Sequence, residues 1–311
     1  MLRGHPGTPV DRVDYVPRVT GVSPAPLSQR ILVDESRPHL LEPGRGRPVR
    51  VYDWTPDAEA SVPLVVVSHG TGGSGQDMGW LARPIAAAGL RVLSLDHHGN
   101  NYVDGYHPAA FLFPWERPRD VSFVLDALDP QRELRVGVAG FSAGGYTGAA
   151  LVGARVDAAL VAAIGAGEVE LPPIEEMPDA FDHLPELMPP DEVDRIVARA
   201  AADLRDPRVA AAFLVAPGMG ALLTPESLAA IDVPVEVRWG GADDVVPFEQ
   251  DVRPLLERVP GVHGREVGPT VDHHDFIVSM TPDSADVRDR VGSEAAAFFA
   301  EHLLRGASER P

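Results

Sequence analysis

The chain has no cysteine. That excludes disulfides, thiolate zinc sites and a cysteine nucleophile. Bases are scarce: 27 Lys and Arg stand against 46 Asp and Glu, a formal net charge of −19. A surface of that sign repels nucleic acid and anionic membranes at long range and disfavours polyanionic substrates. No apolar run reaches the roughly 18 residues of a membrane span. Residues 1–30 mix Pro, Gly and charges and have no stretch like the apolar core of a secretion signal, so a cytoplasmic protein is expected. Repeats, heptads and low-complexity tracts are absent. So is metal-ligand spacing of the H-E-x-x-H kind, although Asp96-His97-His98 and His273-His274-Asp275 bring suitable residue types together. No metal and no cofactor are expected.

What is present alternates. Of the 311 residues 44% are hydrophobic and 23% charged, ordinary for a folded domain. Residues 1–45 read as an extended arm in which Ile31-Leu32-Val33 can add a short strand, and residues 48–54 read as an edge strand. Short β-branched runs follow at 64–67, 91–95 and 135–139, separated by helical spacing at 76–88 and 119–128. Strand and helix in turn, with short links, predict a parallel sheet covered on both faces. The rhythm breaks at 155–207. Residues 158–166 fit a helix or a buried strand equally, and 168–194 carry ten acidic residues, six prolines and no Lys or Arg. This segment reads as an insertion capping the sheet. Strands near 209–216, 235–239 and 262–267 and helices at 249–259 and 286–304 complete a domain of 46–305, with 306–311 as a tail.

Gly140-Phe141-Ser142-Ala143-Gly144-Gly145 lies between a buried strand and a helix. A serine on such a sharp turn projects its hydroxyl above the sheet, and the flanking glycines let backbone pack closely around it. Ser142 is the candidate nucleophile. Ser68-His69-Gly70-Thr71-Gly72-Gly73 leaves an earlier strand at the same edge. Amides of Thr71 and Ala143 are the candidate donors for an oxyanion, and His69, Gly70 and Phe141 are candidates to line the pocket. An acid and then a histidine should follow in chain order. Asp243 and Asp244 both qualify after the strand 235–239, and His273 and His274 both qualify after the last strand.

With these motifs placed, the chain resembles the branch of α/β-hydrolases that holds platelet-activating-factor acetylhydrolases and bacterial predicted dienelactone hydrolases. The resemblance spans roughly residues 31–300. It is carried by RPVRVYDW at 47–54, VVSHGTGG at 66–73, LDHHGN at 95–100, RPRDVSFVL at 117–125, DPRV at 206–209 and HHDF at 273–276, besides the Ser142 turn. It implies an α/β-hydrolase fold with a cap and a metal-free serine esterase acting on a small-molecule ester of short or medium acyl chain. It selects Asp243, four residues before Pro247, as the acid and His273, three before Phe276, as the base. Two residues depart from the pattern: Phe141 stands where a histidine is common, and Thr71 where an apolar residue is usual. Acyl transfer or thioester cleavage would use the same three groups, and a non-catalytic binding protein of this fold would not need them.

Overall fold

The computed structural model describes residues 26–42, 44–129, 131–169 and 174–304. Leu64–Ser68 (β3) shows why a short apolar run becomes the middle of a sheet. All five residues are buried, and successive side chains alternate between faces. Leu64 and Val66 enter one core with Leu93, Leu95, Val136, Val138, Leu214 and Val237. Val65 and Val67 enter the other with Val92, Phe213 and Val215.

Around it run β1 (Ser28–Pro38), β2 (Gly46–Asp53), β4 (Arg91–Asp96), a two-residue ribbon of β5 (Asn100–Asn101) with β6 (Gly105–Tyr106), then β7 (Val136–Phe141), β8 (Val209–Val215), β9 (Val235–Trp239) and β10 (His263–Glu266). The main sheet has the order β1-β2-β4-β3-β7-β8-β9-β10. Pairing is parallel from β4 through β10 and antiparallel for β1 and β2. The chain leaves β3 toward β4 on one side, while β7 lies on the other. The carboxyl ends of β3 and β7 therefore flank the crevice where such sheets place their sites, with Ser68 opposite Gly140.

Helices α1 (Gly79–Ala87) and α10 (Ala285–Phe299) cover one face. Gly292 lets them cross closely, since a Cβ there would stand 2.6 Å from the Trp80 carbonyl oxygen. After the short α2 (Pro108–Leu112), the other face receives α3 (Glu116–Leu128) and α4 (Ala143–Leu151), and later α8 (Pro225–Ala229) and α9 (Arg253–Arg258). Between α4 and β8 lie α5 (Ala158–Gly165), α6 (Ala180–Leu187) and α7 (Pro190–Val197). The ambiguous run at 158–166 is thus a helix, and Asp157 caps it by accepting from the amides of Ala159 and Leu160. The α6 and α7 segments share a small separate core, in which Leu184, Met188 and Ile196 meet Phe113 and Trp115. Trp115 Nε1 donates to the Ile196 carbonyl at 3.0 Å.

The expected arm differs from the structure where it can be compared. Residues 1–25 lie outside the described residues, as does the tail at 306–311, but 28–38 is an eleven-residue strand. It is longer than the three-residue strand anticipated because an edge strand with most side chains exposed has no apolar alternation to reveal it.

Candidate active site

Ser142 sits between β7 and α4 with φ 55° and ψ −119°, a backbone state that L-residues rarely adopt. Its amide donates to the Val215 carbonyl at 2.9 Å, and its carbonyl accepts from Gly145 at 2.8 Å and Gly218 at 3.2 Å. The flanking glycines are required sterically. A Cβ on Gly140 would lie 2.0 Å from the Gly144 carbonyl oxygen, and one on Gly144 would lie 2.1 Å from that of Ser68.

The structure brings His273 and Asp243 to this serine. His273 Nε2 is 3.1 Å from Ser142 Oγ, and His273 Nδ1 is 2.8 Å from Asp243 Oδ2. The other Asp243 oxygen accepts the Val246 amide at 2.8 Å, which fixes the carboxylate plane. Their side chains are 6% and 1% exposed respectively, so water competes little for either contact. His273 opens a short 3₁₀ turn locked by a capping box between Asp272 and Asp275. The adjacent candidates point elsewhere. Asp244 is exposed. His274 is about one-third exposed and lies 3.9 Å from Glu175 of the inserted segment.

Thr71 and Ala143 lie on the two backbones that meet beside Ser142: the loop leaving β3 and the first turn of α4. Gly70 faces the serine directly, since a Cβ on it would come within 3.3 Å of Ser142 Cβ and 3.2 Å of the Phe141 ring. Phe141 is buried, with its ring 4.8 Å from that of His273 and 5.6 Å from Phe276. It props the imidazole.

His69 departs from the expectation that it lines the pocket. It is buried, and both ring nitrogens are taken by backbone. Nδ1 donates to the Gly70 carbonyl at 2.6 Å, and Nε2 accepts the His97 amide at 3.1 Å. Burial, reinforced by the nearby Arg117 charge, holds it well below the ordinary histidine range, so it is neutral. It shapes the loop from behind.

Behind the loop the structure repeats the serine–histidine–aspartate pattern. Ser68 Oγ is 2.8 Å from His97 Nε2, and His97 Nδ1 is 3.0 Å from Asp120 Oδ2. All three are fully enclosed at 0% exposure, so no substrate reaches this chain of contacts. Burial takes His97 down to about 3, with Arg117 adding to the effect. For Asp120 burial works upward, but ion pairs with Arg47 and Arg37 and the His97 contact outweigh it and hold the carboxylate well below its usual value. Among the described residues no group of three or more His, Asp and Glu is arranged to hold a metal ion.

Several residues around the loop were not singled out for the site by sequence. Asn100 Oδ1 accepts the Gly72 amide at 3.0 Å, and Tyr106 Oη donates to the Gly72 carbonyl at 2.8 Å. Arg117 reaches the same loop. From the segment between α5 and α6, Glu176 leans over Gly72, its Cγ 2.9 Å from where a Cβ would be. The available signal was position: Asn100 and Tyr106 follow the carboxyl end of β4, where the sheet gathers its loops.

No protein-family profile matches the chain, and no curated protein does. Solved structures do. A ferulic acid esterase from Streptomyces cinnamoneus superposes with a TM-score of 0.56 at 20% identity, over 93% of this chain and 96% of that one. A 2,6-dihydroxy-pseudo-oxynicotine hydrolase gives 0.51 at 19% identity, over 91% and 69%. The esterase domain of a Rhodothermus marinus protein gives 0.51 at 11% identity, over 89% and 100%. With its mostly parallel eight-stranded sheet, helices on both faces and a serine on the turn after β7, the chain has the α/β-hydrolase fold. Among the described residues no helix is long and apolar enough to cross a membrane.

Proposed function

We propose that this protein is a serine hydrolase that cleaves carboxylic esters of small molecules. The observation that carries the reading is the continuous contact from Ser142 Oγ through His273 to Asp243 on a strained, glycine-flanked turn. His273 Nε2 takes the Ser142 proton as Oγ attacks the acyl carbon, and Asp243 holds the proton on Nδ1 so that Nε2 is free to accept. The carbonyl oxygen, now negative, receives the Thr71 and Ala143 amides, near the N-terminus of α4. Collapse returns the proton from His273 to the departing alcohol and leaves an acyl-serine. Water, deprotonated by the same imidazole, then releases the acid and restores Ser142.

In this reading residues 46–305 form the hydrolase domain and 155–207 its cap, with Glu176 at the mouth over Gly72. The likeness to acetylhydrolases of short acyl esters belongs to the same proposal, as does the ester bond suggested by the names of the structural neighbours. The test is turnover of p-nitrophenyl acetate with fluorophosphonate labelling. Ser142→Ala should abolish both; loss of the nucleophile of another serine hydrolase costs about 10⁶ in kcat. A folded Ser142→Ala protein that still labels would place the nucleophile elsewhere.

A further inference from the structure

Arg117 is buried, and each arm of its guanidinium meets a neutral acceptor. Nη1 donates to Asn100 Oδ1 at 2.9 Å, Nη2 to the His69 carbonyl, and Nε to Thr147 Oγ1 at 3.2 Å. Asp120, the carboxylate whose charge acts most on it, is already taken by Arg37, Arg47 and His97. A desolvated cation without a directly bonded counter-ion is expensive to bury, so what it holds is informative.

Each of the three contacts leads to the oxyanion hole. His69 lies two residues before Thr71. Asn100, through the same oxygen that accepts Arg117, binds the amide of Gly72, one residue after Thr71. Thr147 passes the contact to α4 by donating to the Ala143 carbonyl at 3.0 Å. One planar fork therefore grips the β3 loop on both sides of one candidate amide, and the helix turn that bears the other. A guanidinium sets distances in this way because its donors are rigidly coplanar, which an ammonium cannot reproduce. The buried Ser68–His97–Asp120 chain braces the same loop from the strand side.

Resting on the esterase reading, we propose that Arg117 is a positioning residue of the oxyanion hole, setting the separation of the Thr71 and Ala143 amides. Its removal weakens binding of the tetrahedral anion and leaves binding of the neutral ester alone.

The experiment measures kcat and KM for p-nitrophenyl acetate, and the affinity for phenylboronic acid, which forms a tetrahedral anionic adduct with a catalytic serine, in the full chain. Arg117→Gln should lower kcat by about 10²-fold, the scale of one lost oxyanion donor, with KM changed by less than about threefold and boronate affinity falling in step with kcat/KM. Arg117→Lys should lose about tenfold, because the charge stays and the fork is lost. Thr147→Val cuts only the arm to α4 and should lose roughly tenfold in kcat at constant KM; it decides the matter if Arg117→Gln does not fold. The inference is overturned if folded variants keep kcat within about twofold. It is equally overturned if KM rises while boronate affinity per folded molecule is unchanged. Wild-type protein that neither turns over the ester nor labels with a fluorophosphonate overturns the esterase reading, and this inference with it.

Discussion

Asp243→Asn is the sharpest test of the catalytic proposal, because the structure dictates which way the new amide must face. Oδ1 of Asp243 accepts the Val246 amide and Oδ2 faces His273 Nδ1, both at 2.8 Å. An asparagine can keep the first contact only by placing its carbonyl oxygen there, which turns its NH₂ toward the imidazole. The opposite rotamer sets two N–H donors against each other at Val246 and is disfavoured. Facing an NH₂, Nδ1 must become the acceptor, and the ring proton moves to Nε2. Nε2 then meets Ser142 Oγ across 3.1 Å as a donor and cannot take its proton. The same tautomer error costs another serine hydrolase about 10⁴ in kcat, or about 5.5 kcal/mol of transition-state stabilisation. The assay is kcat/KM for p-nitrophenyl acetate, with circular dichroism to establish folding. Asp244→Asn and His274→Ala serve as controls. Asp244 is exposed and His274 contacts Glu175 and Asp272 at no closer than 3.8 Å, so each should stay within about fivefold of wild type. A folded Asp243→Asn protein within tenfold of wild type, or a larger loss in Asp244→Asn, would refute the assignment.

Gly144→Ala should cost at least as much activity as it costs stability, because its Cβ would lie 2.1 Å from the Ser68 carbonyl oxygen and must drive the β3 loop from α4; wild-type kcat in that variant would contradict the described packing. Stability to urea should fall between about pH 6.5 and 4. Burial takes His98 and His107 down to about 3 and about 4, with Arg47 next in effect, and His97 to about 3, with Arg117 next, so the unfolded chain takes up protons that the folded chain refuses. Buried Asp77 and Asp96, raised to about 6, act in the opposite sense from about pH 6 to 4, as do Glu176 and Asp251, raised by burial, but these four carboxyls stand against five lowered imidazoles, His39, His69, His97, His98 and His107. A urea midpoint that is flat or higher at pH 5 than at pH 7.5 would reverse that reasoning. Glu175→Gln with Glu176→Gln should change kcat/KM for a cationic ester by several-fold relative to a neutral one of equal acyl chain, by loss of charge at the mouth; equal changes for both esters would make the inserted segment a bystander.

The strained turn at Ser142 was legible in sequence because its demands are local. A serine between a buried strand and a helix, with glycine at 140, 144 and 145, states a steric requirement that three-dimensional packing then enforces. Neighbouring pairs were not separable in this way. Asp243 and Asp244, or His273 and His274, differ only in the direction their side chains leave the backbone. Arg117 lies in a run that shows only helical spacing, and its reach to the His69 carbonyl, 48 residues earlier, leaves no periodic trace. His69 read as pocket because it sits beside the candidate oxyanion loop. Its conversion into a brace depends on the His97 amide, 28 residues away. Asp157, immediately before the ambiguous alanine-rich run, did carry a local signal for a helix start.

The distance along the chain between Ser142 and His273 has a consequence for how this protein comes into being. Ser142 and His273 are 131 residues apart in sequence, and the aspartate that orients the histidine precedes it by 30. A chain folding as it emerges from the ribosome can complete the serine turn while β9 and β10 are still unmade. It then carries Ser142 with neither His273 nor Asp243 in place. Contacts of such long range form late, so under the proposed mechanism ester turnover would begin only when the final strands have docked. In a refolding experiment the onset of hydrolysis therefore times the closing of the sheet, whereas the rise of helical signal times only its beginning.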